Sequence, residues 1–207
     1  GFDAMEDVRR SHRSPWVRRY KWPVAFFVAV AFWNMIGAGL FGFMINPPIA
    51  LYYMQGLNTT PVHGHTALFG VYGMLGIGLV LFCLRALRPA AVWNDRLVGA
   101  GFWATNGGLL AMVLLSVLPV GLVQTWASVE HGYAYARSPE LLQQGYMATL
   151  RWMRVPGDTV FAIGALLIVA FVFGIGRRRT TTTPTTGSAL PIAPDAGRAS
   201  PVPAAEE

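Results

Sequence analysis

Four stretches of this chain are long and apolar enough to cross a lipid bilayer, and that limits its fold more than any motif does. They run from about Pro23 to Ile45, Pro61 to Leu84, Leu97 to Thr125 and Thr159 to Gly176. A bilayer offers no partner to a bare amide, so each is predicted to be a helix that satisfies its own backbone. Pro23 and Pro61 stand just inside the first two, where a missing N–H costs nothing. Thr60 is then the predicted N-cap of the second helix. Composition agrees: 54% of the 207 residues are hydrophobic and 13% are charged, where soluble domains carry roughly 25%. The fold class read here is an all-α integral membrane protein with four transmembrane helices.

An even number of spans puts both ends of the chain on one side. Arg9, Arg10, Arg13, Arg18, Arg19 and Lys21 precede the first span, Arg85, Arg88 and Arg96 follow the second, and Arg177, Arg178 and Arg179 follow the fourth. Only Arg137, Arg151 and Arg154 lie near helix ends on the other side, so the count is twelve to three. The positive-inside rule places the twelve in the cytoplasm. The net charge of +6 therefore reads as membrane topology rather than nucleic-acid binding. Residues 1–22 form a basic cytoplasmic segment, 23–179 the four-helix membrane part, and 180–207 a tail of Thr, Pro and Ala expected to be disordered. Cys83, the only cysteine, excludes an internal disulfide and a C-x-x-C-H haem attachment. Gly1 is no initiator and no signal-peptide core follows it, so a piece of a longer chain is expected. In the outward segment from Trp126 to Gly157, Ser138-Pro139-Glu140 reads as a helix start. Leu141, Leu142, Gly145, Tyr146 and Leu150 would then be the apolar stripe of a short helix on the membrane surface.

Two of the four histidines, His63 and His65, stand two residues apart at the outer start of the second span. At about 100° per residue they point roughly 200° apart, so they cannot grip one ion together. They can serve different partners on opposite faces of the helix. Ionisable groups within a membrane tend to be functional, and histidine is a common axial ligand of haem iron. One helix with H-x-H could thus hold two haems side by side. Hydrogen bonding to a neighbouring helix stands equally beside that reading. Gly64, Gly70, Gly73, Gly76 and Gly78 thin the same helix; close helix packing explains them more readily than a macrocycle does.

The block FWNMIGAGLFGFMINPPIALYYMQGLNTTPVHGHTALFGVYGMLGIGLVLFCLRAL resembles the closing helices of the nitric oxide reductase large subunit, in the haem-copper oxidase superfamily. LLSVLPVGLVQTWASVEHGYAYARS and LRWMRVPGDTVFAIGALL continue the likeness, which runs from about Trp16 to Arg179. The wording INPPIALYYMQGLNTTP is closer to the single-chain, quinol-oxidising type. The resemblance implies the C-terminal part of a helical bundle that reduces two NO to N2O and water with electrons from quinol, in the inner membrane of denitrifying respiration. It implies that His63 is the axial ligand of a high-spin haem b and His65 an axial ligand of a low-spin haem b. A non-haem iron is also implied, but its ligands and the second low-spin ligand would have to lie outside this chain. His12 is on the cytoplasmic side, and His131 falls in an outward loop with no ligand motif. This segment alone is therefore expected to be inactive without upstream helices.

Asp158 reads as the N-cap of the fourth helix, and the resemblance adds a place in the quinol pocket. Arg151 and Arg154 are read as interface anchors, with haem propionates as the alternative. Glu130 and His131 read as exposed, Trp22, Trp126 and Trp152 as interfacial, and Asn34 and Asn106 as partners for neighbouring helices. Two other functions compete: an oxygen-reducing member of the same superfamily, and a helical anchor or assembly module that binds no haem.

Overall fold

The computed structural model describes residues 15–177, so the tail and most of the basic N-terminal segment, His12 included, lie outside the described residues. A short helix α1 (Pro15–Arg19) leads into the first span, α2 (Lys21–Ile45). After α3 (Pro48–Met54) come the second span, α4 (Thr59–Leu87), and the third, α5 (Asp95–His131). Three short helices follow, α6 (Tyr133–Ala136), α7 (Pro139–Leu142) and α8 (Gly145–Trp152), and then the fourth span, α9 (Arg154–Arg177). All four expected spans are present, and no strand occurs among the described residues.

Hydrogen bonds at the two ends establish an up-down-up-down order. At one end Arg19 Nη2 donates to the Pro89 carbonyl (3.0 Å), Arg85 Nε to the Arg19 carbonyl (2.9 Å) and Arg88 Nη1 to the Ile175 carbonyl (2.9 Å). That end therefore gathers the start of α2, the α4–α5 turn and the close of α9. At the other end the Asn58 amide donates to Gln124 Oε1 (2.9 Å), tying the start of α4 to the far part of α5. The α5 helix is central: 44% of its most apolar window is buried, against 22% in each other span. Phe26, Trp33, Met74, Leu109 and Phe171, from all four spans, form the main core.

Three stretches widen from α to π geometry, each with a local cause. Asn34–Phe41 carries Gly37 and Gly39, which hold the backbone loosely. Thr66–Gly73 begins where the Thr66 hydroxyl donates to the Val62 (2.7 Å) and His63 (3.0 Å) carbonyls, competing with the helical amides. Val113–Val117 precedes Pro119, whose ring crowds the carbonyl one turn earlier. The first two lie against each other. Gly37 abuts the Thr66 side chain and Gly70 the Trp33 ring, so a Cβ at either glycine would collide.

Several boundaries differ from the sequence expectation. Thr60 is not a cap: α4 starts at Thr59, and Asn58 precedes it without a side-chain cap. Pro61 is still within the first turn, whose amides have no helical acceptor. Asn94 caps α5, accepting from the Leu97 amide at 3.2 Å, so that helix begins at Asp95. It continues to His131 and stops at Gly132, whose φ of 89° suits glycine. Ser138 does cap a helix, accepting from the Leu141 amide (3.4 Å), but that helix ends at Leu142. The break at Gln143–Gln144 divides the expected surface stripe. Leu141 turns into a small core with Leu57, Ala127 and Ala136, while Tyr146 is left exposed.

Candidate functional site

His63 and His65 lie in the α-helical part of α4, which turns π only from Thr66, so the divergence expected from 100° per residue holds. His63 faces α2, where its Nδ1 lies 3.0 Å from the Gly37 carbonyl oxygen. Gly42 lets the ring lie there, because a Cβ on it would stand 3.0 Å from His63 Cε1. His65 Nδ1 lies 2.8 Å from the Pro61 carbonyl oxygen, one turn back in its own helix. A carbonyl only accepts, so each Nδ1 carries the proton and donates. In the neutral ring each Nε2 is then the nitrogen that carries the lone pair.

The two lone pairs have different surroundings. His63 Nε2 has no hydrogen-bond partner among the described residues. His65 Nε2 lies 2.9 Å from Arg154 Nη2 of α9 and accepts from it, since a guanidinium only donates. Arg154 Nε meanwhile donates to Asp158, at 2.9 Å from Oδ2 and 3.1 Å from Oδ1. The chain Asp158–Arg154–His65 joins the fourth span to the second. Phe69 packs near the His65 ring (centroids 5.7 Å) and reaches Phe161 of α9 (5.4 Å).

This geometry corrects two readings. Asp158 is not the N-cap of the fourth helix: α9 begins at Arg154, and Asp158 sits one turn inside it as the i, i+4 partner of that arginine. Arg154 is more than an interface anchor, because its guanidinium is shared between Asp158 and His65. Arg151 and Trp152 are exposed, and Trp126 is 58% exposed, as expected at an interface. His131 closes α5 rather than lying in a loop, yet it is exposed, with its ring edge-on to Trp126 and Tyr135. Asn106 meets the expectation for a helix partner, accepting from Trp33 Nε1 at 2.9 Å. Asn34 is exposed instead.

Sequence reasoning passed over Gln124. It is 5% exposed; its Oε1 accepts the Asn58 amide and its Nε2 donates to the Ala136 carbonyl (3.1 Å). Gln124 thus pins the start of the histidine-bearing helix to the outer loop. The signal was a carboxamide within the largely apolar third span, where Asn106 is another. Gln124→Leu keeps the volume but leaves the buried Ala136 carbonyl unpaired, at about 1–3 kcal/mol, and the half-buried Asn58 amide without its acceptor. A lowered melting temperature of the detergent-solubilised protein is expected; an unchanged one would remove Gln124 from this role.

Among the described residues, no three His, Cys, Asp or Glu side chains gather into a further metal site. The two histidines fit axial ligation of haem iron: each ring is held through Nδ1, His63 Nε2 has no partner among the described residues, and His65 Nε2 is shared with Arg154.

Comparison with known proteins agrees with the fold. Residues 12–160 match the family described as cytochrome c and quinol oxidase polypeptide I. A nitric oxide reductase subunit of Stutzerimonas stutzeri is 27% identical over 147 residues, 69% of this chain and 30% of that relative. The chain therefore spans about 30% of that relative's length. Its four spans form a helical membrane bundle, and the family match covers well over half of its residues. The protein thus belongs to the cytochrome c and quinol oxidase polypeptide I family of haem-copper oxidases.

Proposed function

We propose that this chain supplies one axial histidine to each of two b haems in a quinol-dependent nitric oxide reductase. His63 serves the high-spin haem and His65 the low-spin haem. The observation that carries this reading is the paired Nδ1–H···O=C geometry, at 3.0 Å for His63 and 2.8 Å for His65. Orienting a metal-binding imidazole through its other nitrogen is how proteins prepare such a ligand. A packing histidine needs no outward lone pair. The likeness to a nitric oxide reductase subunit adds to this reading. When bound, the haems supply electron transfer and a site for NO, with a non-haem iron held by residues outside this chain.

The residues present have distinct tasks. His63 and His65 would hold the haem irons, on opposite faces of α4. Arg154, held by Asp158 beside His65, would supply positive charge next to a group bound there. Asp158 holds Arg154 and, being 43% exposed, can accept a proton from a quinol hydroxyl. The net reaction takes two NO, two electrons and two protons to N2O and water. The end carrying the arginine cluster faces the cytoplasm and the histidine end faces outward, in the inner membrane.

The test is a pyridine haemochrome assay with oxidised and reduced spectra on the full-length protein from membranes, beside His63→Ala and His65→Ala. Two b haems in the parent, with one signal lost in each variant, are expected. Haem content indifferent to both changes would leave the anchor reading in place. Asp158→Asn should lower kcat/KM with quinol by roughly a hundredfold and keep both haem spectra. An artificial electron donor should still drive it; equal losses with both donors would take Asp158 out of the quinol pocket.

A further inference from the structure

The other end of the bundle carries a cation cluster that the proposed reaction does not use. Arg19, Arg85 and Arg88 each donate to backbone carbonyls, those of Pro89, Arg19, Ala91 (3.4 Å) and Ile175. None of them pairs with a carboxylate among the described residues. Asp95, the only described carboxylate at this end, is taken by Lys21 Nζ (2.7 Å) and Trp22 Nε1 (3.0 Å). Arg85 also lies over the Trp93 ring, 4.6 Å from its centroid. The Trp93 Nε1–H of that ring is buried and has no acceptor among the described residues.

A guanidinium has five N–H donors, and carbonyls use only one or two of them on each of these arginines. What remains is a set of donors with no anion among the described residues, held in place by the α4–α5 turn. Arg19 and Arg85 bind carbonyls two residues apart in that turn, so their forks flank one small region. Beside it Leu87 is 79% exposed and Val92 76%, and the Tyr20 and Phe82 rings pack 5.1 Å apart. Fixed guanidinium donors next to exposed apolar surface, at the level where a span ends, match a phosphate attached to acyl chains.

We propose that this turn binds the phosphate of an anionic glycerophospholipid, with Arg19 and Arg85 as its principal donors and Arg88 beside them. The acyl chains lie along Phe82, Leu87 and Val92. A zwitterionic lipid offers the same phosphate, but its own ammonium adds a cation to the cluster, so it binds more weakly. The site does not depend on the haem assignment.

Native mass spectrometry of the purified full-length protein tests this, with titrations of phosphatidylglycerol, phosphatidylcholine and inorganic phosphate. Retention of phosphatidylglycerol at about tenfold lower concentration than phosphatidylcholine is expected. Arg19→Gln and Arg85→Gln should each erase most of that preference, while Arg137→Gln at the opposite end keeps it. Equal retention of the two lipids by the parent would overturn the proposal, as would an unchanged preference in both variants. Displacement of the lipid by millimolar phosphate would assign the cluster to a free anion instead. Should Arg85→Gln fail to fold, the parent's melting temperature decides: phosphatidylglycerol must raise it more than phosphatidylcholine does.

Discussion

Replacing His65 by alanine in the full-length protein is expected to remove the low-spin haem b signal and leave the high-spin signal in place. His63→Ala should do the reverse. The separation follows from the rings facing different helices: His63 is anchored on Gly37 of α2, His65 on its own helix and against Arg154 of α9. Loss of one imidazole therefore does not disturb the other's orientation. Altering even an outer hydrogen bond to a metal ligand costs about 10–100-fold in affinity or activity, so removing the ligand itself should cut NO reduction by more than about 100-fold. His131→Ala is the control, since that ring is exposed at the close of α5. If each variant lost both haems together, the pair would be serving the fold, and the separate assignments would fail.

Gly108→Leu and Gly157→Leu should prevent the bundle from assembling, the largest effect on stability expected in this chain. The α5 and α9 helices touch backbone to backbone at these two positions. A Cβ at Gly108 would lie 2.7 Å from Phe161 Cα and 2.9 Å from the Gly157 oxygen. One at Gly157 would lie 2.7 Å from Met112 Cα and 3.0 Å from the Gly108 oxygen. Backbone cannot swing aside as a side chain does. Overpacking by a few methylenes costs about 1–3 kcal/mol, and forcing two backbones apart costs more. Gly107 is the contrast, one residue away but facing open space. Gly107→Ala should leave a monodisperse protein on size-exclusion chromatography. Equal behaviour of Gly107→Ala and Gly108→Leu would refute the packing argument.

Much of the architecture was legible because a bilayer enforces it. An apolar run of about 20 residues must be helical there, so the four spans were readable without any contact. Their ends were less so. The Thr60 reading failed because α4 begins two residues earlier, at Thr59 rather than Pro61, and the Asn58 amide ahead of it is satisfied by Gln124 of α5. The Asp158 reading failed for a similar reason. Helix α9 extends back to Arg154, which turns a residue with a cap's local signature into the ion partner of that arginine. The surface stripe was misjudged at Gln143–Gln144, where a break sends Leu141 inward.

At the candidate site, the spacing of His63 and His65 was enough to say that the two rings serve different partners. Chain geometry alone requires it, as long as the helix stays α through both residues. The sequence likewise determined four membrane helices, because hydrocarbon leaves the backbone no alternative. Only the tertiary structure decided which nitrogen of His63 is committed, since the Gly37 acceptor comes from another helix. It also brought Arg154 to His65 across 89 residues of chain. Such contacts depend on how closely two helices approach, and the glycines at 108 and 157 permit that approach only once both helices have formed. Local pattern records what each segment must satisfy by itself; what a lone pair or a guanidinium meets across the bundle is settled by packing.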